Sequence, residues 1–346
     1  MKKFLLMLMI ISLLAGTAVI AGCSKKQDNS WKEKNYDLSV PVLGEDGWYL
    51  VFEDDFIGTS LNENITFGDK YTGNKEIWTT SPHAIRWESD NKKKPEQACW
   101  WCPEMVEIKD SNVIIHSRYE ENHDCNGDCP KSGRFTSGIE TRLISGDNND
   151  NKGTSDTMLF SQAFGYFECR VKIPASNGLW SAFWLQSSNQ RKVGNEGEDG
   201  TEIDVFESAF INSKESKMGH ALLWDGYGKD SKVEGYIGNL EQDLYDGYHT
   251  YAIKWTPDYY VFYIDNQPTW ASNAGDVSKV REFLRLTVEI DAGDGWGPHG
   301  QKIGKFSHNN DDNDDFVIDY VKVWQNENFE QYIKDDDEFE GSVDLS

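Results

Sequence analysis

The sequence predicts an all-β fold, a two-sheet antiparallel sandwich, and three observations lead there. Short apolar and aromatic runs recur along the chain, many of them alternating with polar residues as half-buried strands do. No window sustains an apolar stripe at i, i+3, i+4 and i+7 over a helix length. Clusters of Gly, Asn and Asp separate the runs as turns. Composition agrees: Trp, Tyr and Phe make up 13% of the 346 residues, too many for a disordered chain, and a coiled coil, a collagen and a multi-span membrane protein are excluded. The formal net charge of −25 argues against a nucleic-acid partner, which needs a basic footprint.

In chain order, residues 1–22 come first. Met1-Lys2-Lys3 is followed by an apolar run from Phe4 to Leu14 and by Val19-Ile20-Ala21-Gly22-Cys23-Ser24. A charged start, an apolar middle and small residues at the end make a signal peptide. Its Ile-Ala-Gly-Cys end resembles a bacterial lipobox. That resemblance implies cleavage before Cys23 and a lipid on its sulfur, with the protein in the bacterial cell envelope, facing the periplasm or the exterior. An ordinary cleaved signal and a retained anchor are the alternatives. Contact with the membrane is expected through the lipid only, since no other stretch reaches the roughly 20 apolar residues of a span. Residues 23–45 read as the lipidated Cys and a polar, flexible tether. Residues 46–326 read as one domain and 327–346 as an acidic, solvated tail.

Within the domain, the strand signals start at Trp48-Tyr49-Leu50-Val51-Phe52 and end at Phe316 to Trp324. Between them lie Val113 to Arg118, Gly165 to Lys172, Thr250 to Trp255 and Tyr259 to Ile264, the last closed by an Asp265-Asn266 turn. Cys169 shares a face with Phe167 and Val171 and reads as a buried thiol. The Asn- and Asp-rich run at 147–151 reads as a loop.

The chemistry is concentrated in Gly200-Thr201-Glu202-Ile203-Asp204-Val205-Phe206-Glu207-Ser208. Glu202 and Asp204 are two apart and share a strand face, but Glu207, five from Glu202, falls on the other face of a regular strand. One extra residue in a β-bulge between Asp204 and Glu207 restores a common face. Massing like charges on one strand costs stability, and glycoside hydrolysis gives a reason to accept that cost. A retaining glycosidase needs two carboxyl groups about 5–5.5 Å apart, one as nucleophile and one as acid/base. An Asp between them can share a proton and raise one pKa. A solvated acidic strand is the plain alternative.

At these residues the chain resembles glycoside hydrolase family 16, whose signature is Glu-x-Asp-x-x-Glu or Glu-x-Asp-x-Glu; the longer, bulged form is present. Gly178 to Leu185 is similar to the family's cleft strand, Leu50 to Phe56 to its opening strand, and Phe135 to Thr141 and Phe316 to Trp324 to further strands. The resemblance covers roughly residues 46–326. It implies a concanavalin A-like β-jelly-roll with a concave cleft, Glu202 as nucleophile, Asp204 as electrostatic helper and Glu207 as acid/base. It also implies Trp180 and Trp184, four apart and so on one face, as sugar platforms; two core tryptophans are the other reading. His220 and Trp224, on the next aromatic strand, and Glu289 and Trp296 are the further substrate-binding candidates, His220 being equally readable as a structural histidine. Thr287 and Glu289 depart from the laminarinase pattern.

Cys99-Trp100-Trp101-Cys102 and Cys125-Asn126-Gly127-Asp128-Cys129 form a CxxC and a CxxxC. Outside the cytoplasm two disulfides are expected, leaving only Cys169 free; a four-thiolate zinc site is the alternative. Catalysis by carboxylates needs no cofactor. Many family members carry a structural calcium held partly by an Asp of the last strand, and Asp319 stands at that position.

The expected function is therefore a retaining endo-β-glycosidase acting on a polysaccharide. Removing Lys2 and Lys3 with the leader leaves 32 basic against 59 acidic residues, a net charge of −27 that repels sulfated carrageenan on approach. A β-1,3- or β-1,3-1,4-glucan is the first choice of substrate, and a β-galactan (agar, porphyran or mucin-type chains) the second. A non-catalytic carbohydrate-binding lipoprotein on the same fold is the alternative of another class; it would be marked by loss of one catalytic Glu. A monomer is expected.

Overall fold

A computed structural model describes residues 29–87, 98–124, 129–144, 157–208, 217–239, 242–291, 303–306 and 314–343. Residues 1–28 with Cys23, the loop at 147–151, Cys125 and Trp296 lie outside the described residues. Two large antiparallel sheets make the sandwich, and the only helices among the described residues are single 3₁₀ turns. The nine-stranded sheet runs Thr66–Phe67, Trp48–Asp54, Phe316–Asn326, Gly165–Lys172, His249–Trp255, Tyr260–Ile264 and Gln267–Ser272. The short strands Val106–Lys109 and Asn112–Ile115 branch from the Phe316 strand. The seven-stranded sheet runs Lys232–Asn239, Lys217–Trp224, Glu202–Glu207, Leu179–Gln186, Phe283–Ile290, Gly138–Glu140 and Thr79–Thr80.

Alternation decides which side chains fill the space between the sheets. Phe167, Cys169 and Val171 are buried, as their shared parity predicts, and the Cys169 thiol is free. Leu284, Leu286, Val288 and Ile290 do the same from the other sheet. Rings lock the layers: Phe206 lies 4.3 Å from Tyr251 and 6.1 Å from Phe316, centroid to centroid, separations at which aromatic pairs attract. Asp265 and Asn266 both have positive φ, 47° and 62°, the conformation that a two-residue hairpin turn demands and that Asp and Asn tolerate.

The described residues flanking 46–326 on both sides differ from expectation. Residues 29–40 pack on the sandwich instead of forming a free tether. Trp31 is buried in the core, and the Lys254 ammonium, itself buried, donates to the Asp37 and Ser39 carbonyls and the Asp37 carboxylate. A buried ammonium needs such acceptors, so a segment polar by composition is fixed by one cation beneath it. The acidic tail also docks: Ser342–Val343 pairs with Lys192–Val193, and the Asp336 carbonyl accepts from Asn189 and Lys192.

A third, four-stranded sheet (Ala84–Trp87, Cys99–Trp101, Gly133–Thr136, Arg118–Glu120) lies beside the Phe283–Ile290 strand. It holds Cys99 and Cys102, and both are free thiols. The expected disulfides are thus corrected at these two positions. Residues three apart in extended chain point to opposite faces, and side chains that diverge cannot be bridged. Cys99 faces Glu289, while Cys102 packs with Trp100, Met105 and Phe135. Cys129 is disulfide-bonded, to a partner outside the described residues.

Candidate active site

The catalytic strand, Glu202–Glu207, lies between Leu179–Gln186 and Lys217–Trp224. Gly200 opens it with φ +142°, and a side chain there would meet Ser187 Cβ at 2.5 Å. The predicted bulge is present. Asp204 stands opposite Ala221 and Glu207 opposite Gly219, so three steps on one strand match two on the other. The Leu179–Gln186 strand shows the same slip, with Trp184 opposite Asp204 and Phe183 opposite Phe206. The extra residue turns both Val205 and Phe206 into the core and brings Glu202, Asp204 and Glu207 to one face.

Their surroundings differ. Tyr227 donates its hydroxyl to Glu202 Oε2, and Gln186 Nε2 lies 3.4 Å from the same oxygen and 2.5 Å from the Tyr227 hydroxyl. Burial pushes the Glu202 carboxyl up, while Tyr227 and the Arg285 and Arg86 guanidiniums pull it back toward the ionised form. Asp204 has no such help: burial, then Glu207 and Glu202, hold it well above the usual carboxylate range. Glu207 is pushed up to about 8 by burial and by Glu202, against a 3.0 Å hydrogen bond donated by Trp180 Nε1. The strand thus carries one carboxyl whose upward shift is opposed by a hydroxyl and two guanidiniums, one raised with no such opposition, and one raised to about 8.

The neighbouring strands build the walls. Trp180 and Trp184 both face the acids' side, as their spacing predicts. Trp180 is covered by Ile303; Trp184 is partly exposed and donates to Thr287 Oγ1 at 3.0 Å. Arg285 stacks on the Trp184 ring at 4.0 Å, donates to Gln186 Oε1 at 3.2 Å and pairs with Glu140 at 3.4 Å. Glu289 shares this face but is engaged by Arg86 Nε at 2.9 Å and the Cys99 thiol at 3.8 Å. Arg86 in turn lies 3.9 Å over the Trp101 ring.

Two expected substrate contacts are corrected. Gly219, Ala221 and Leu223 stand opposite Glu207, Asp204 and Glu202, and cross-strand partners share a face. The other parity, with His220 and Trp224, therefore points inward. His220 is buried between the sheets. Its Nδ1 donates to the Val205 carbonyl inside the bulge at 2.7 Å, and Nε2 lies 2.9 Å from Thr269 Oγ1. Burial lowers its pKa to about 4, so it is a neutral structural residue. Trp224 is buried and donates to Glu196 at 3.1 Å.

Asp319 pairs with Arg170, and Lys322 holds nearby Glu53 at 2.7 Å. Asp55 stands close to both carboxylates, so three acids here face two cations.

Sequence reasoning missed Tyr227, Gln186, Arg285 and Arg86. Gln186 and Arg285 carried a signal, since each stands two residues from a site-face residue, Trp184 and Thr287. The small residues Gly219 and Ala221 were the sign that their face, not that of His220, lies against the acids.

The family profile of glycosyl hydrolases family 16 matches residues 133–322, more than half of the chain and including the whole catalytic strand. The chain belongs to this family. Endo-1,3-1,4-beta-glycanase ExsH of Rhizobium meliloti is 25% identical over 236 residues, covering 65% of this chain and 46% of that protein. The chain spans about half the length of the curated relatives it matches. Among solved structures, the laminarinase catalytic domain of Thermotoga petrophila covers 82% of this chain and 99% of its own, at a TM-score of 0.53 and 19% identity. A structure from work on endo-acting O-glycanases that initiate mucin breakdown, expressed by human gut microbiota, covers 88% and 99%, at 0.58 and 17%. These neighbours share the jelly-roll fold of the family 16 member described here.

Proposed function

We propose that this family 16 protein is a retaining endo-β-glycosidase. The observation that carries the reading is the bulged strand, which sets three carboxyl groups on one face in three different proton-binding environments. Glu202, as the anion, attacks the anomeric carbon, and Glu207 gives its proton to the glycosidic oxygen as that bond breaks. A glycosyl ester on Glu202 results. Glu207, now a carboxylate, takes a proton from water, which attacks the same carbon and releases Glu202 with net retention. Asp204, raised by burial and by both glutamates, can share a proton with either neighbour as charge moves. The family's carboxylate chemistry draws on no cofactor.

The preferred substrate is a β-1,3- or β-1,3-1,4-glucan, in keeping with the ExsH likeness. A β-galactan is the second reading, favoured by one observation: Thr287 and Glu289, on the strand beside Trp184, depart from the laminarinase pattern. The protein works as a monomer. It is exported and anchored through Cys23, which stands only eight residues before the packed Trp31.

The test uses variants that keep the fold. Glu202→Gln should abolish turnover because an amide cannot attack. Glu207→Ala should spare substrates with good leaving groups, which need little protonation, and added azide should then yield a β-glycosyl azide from them. Wild-type activity in Glu202→Gln would remove the nucleophile assignment. Product sizes on laminarin, lichenan, agarose and mucin O-glycans decide the substrate.

A further inference from the structure

The third sheet holds a cluster that glycoside hydrolysis does not use. Cys102 Sγ, a Glu104 carboxylate oxygen and a His123 ring nitrogen lie within 4.8 Å of one another, and Cys102 Sγ lies equally close to a His83 ring nitrogen. His83 Nε2 and Glu104 Oε2 are themselves 2.9 Å apart. His83 and Cys102 meet because Ala84 pairs with Trp101, which sets their neighbours side by side at one end of the sheet.

His123 indicates what the cluster is for. It is 93% buried and stacks on Phe135 at 3.8 Å. Its Nδ1–H donates to Glu120 Oε2 at 2.7 Å. A carboxylate partner fixes the tautomer and leaves Nε2 with a bare lone pair. That Nε2 is buried and accepts no hydrogen bond. A buried acceptor without a partner is costly, and a carboxylate behind one ring nitrogen with an open lone pair on the other is how proteins prepare a histidine for a metal.

We propose that Cys102, His123, His83 and Glu104 bind one zinc ion. A thiolate, two imidazoles and a carboxylate are borderline-soft donors that suit Zn²⁺ better than Ca²⁺ or Mg²⁺. Zinc bonds of about 2.0–2.3 Å put tetrahedral ligands roughly 3.3–3.8 Å apart, so the Cys102–Glu104–His123 triad and His83, which meets it at Cys102 and Glu104, draw together to close the shell. Binding releases the Cys102 proton to solvent. His83 and Glu104 keep about a quarter of their side chains exposed, which gives the ion a way in. Cys129 is also near Cys102 and His83, but its sulfur is committed to a disulfide. The ion would clamp the sheet whose opposite face carries Cys99 and Trp101 toward the active-site wall, a structural role separate from catalysis.

The full chain, stripped with chelator and then dialysed against micromolar ZnCl₂, should retain one zinc per chain. Cobalt should give the intense near-ultraviolet band of a thiolate ligand. Cys102→Ser should remove that band, and His123→Gln and His83→Gln should each weaken zinc binding at least tenfold. His83 is partly exposed, so its variant tests the site even if the buried ones misfold. Zinc below 0.1 equivalent in the wild type, no thiolate band with cobalt, or undiminished affinity in a folded His83→Gln protein would each overturn the site.

Discussion

On the proposed mechanism Glu207 holds a proton at the pH where Glu202 has lost one, and both sit on a single strand. Burial and the neighbouring Glu202 keep Glu207 near 8, so the alkaline limb of kcat/KM should report the coupled acids with an apparent midpoint in that region. Trp180 Nε1 donates to Glu207 and favours its anion. Trp180→Phe removes that bond, raises the Glu207 pKa and should move the alkaline limb to higher pH. An unmoved or lowered limb in a folded variant would show that the indole N–H does not act on this carboxyl. Trp184 presents a different case, because it is partly exposed and its visible partners are Arg285 and Thr287. Trp184→Ala should weaken substrate binding by roughly 1–3 kcal/mol, by analogy with base–aromatic stacking, and lower the melting temperature little. A core tryptophan would instead cost about 3–5 kcal/mol of stability, so kcat/KM and thermal melting on one preparation separate the two.

The element that matters most is the bulge. A regular Glu202–Glu207 strand would aim Glu207 into the core, where its charge would be unpaired. The extra residue avoids this but frees the Val205 carbonyl from the ladder, and His220 Nδ1–H takes it up from the core side. His220→Leu should leave that carbonyl unsatisfied, at a cost of about 1–3 kcal/mol. It should also lower kcat more than it raises KM, because the acids shift while Trp184, the proposed sugar platform, stays. His220 has a pKa near 4 and does not touch the site face, so the alkaline limb should keep its midpoint in the variant. Loss of that limb would mean His220 takes part in proton transfer. The alternation of small and large residues in Gly219-His220-Ala221-Leu222 was legible in the sequence. Which set faces the acids was not, because pairing register across the bulge decides it, and a one-residue slip exchanges the faces.

For the whole molecule, the folded unit is larger than the strand pattern indicates. Trp31, Tyr36, Asp37 and Ser39 lie on the sandwich, and the tail pairs with Lys192–Val193. A chain trimmed to residues 46–326 should therefore melt well below one starting at residue 29 and keeping the tail. Removing the buried Trp31 alone is worth about 3–5 kcal/mol, and Lys254 loses three acceptors. Equal melting temperatures would show these contacts to be energetically idle.

By itself the sequence determined the all-β class, the strand segments, the bulge and the common face of Glu202, Asp204 and Glu207, because each rests on local rules. Period-two alternation, turn residues and the spacing of Glu202, Asp204 and Glu207 need no knowledge of distant partners. Only the tertiary structure decided matters that depend on what lies across a gap. These are the inward turn of His220 and Trp224, the ionic tie of Glu289 to Arg86, the separation of Cys99 from Cys102 on opposite faces, and the docking of residues 31–40 over Lys254. A side chain's role there is set by register and by groups as far as 217 residues away in sequence, and no local pattern carries that information.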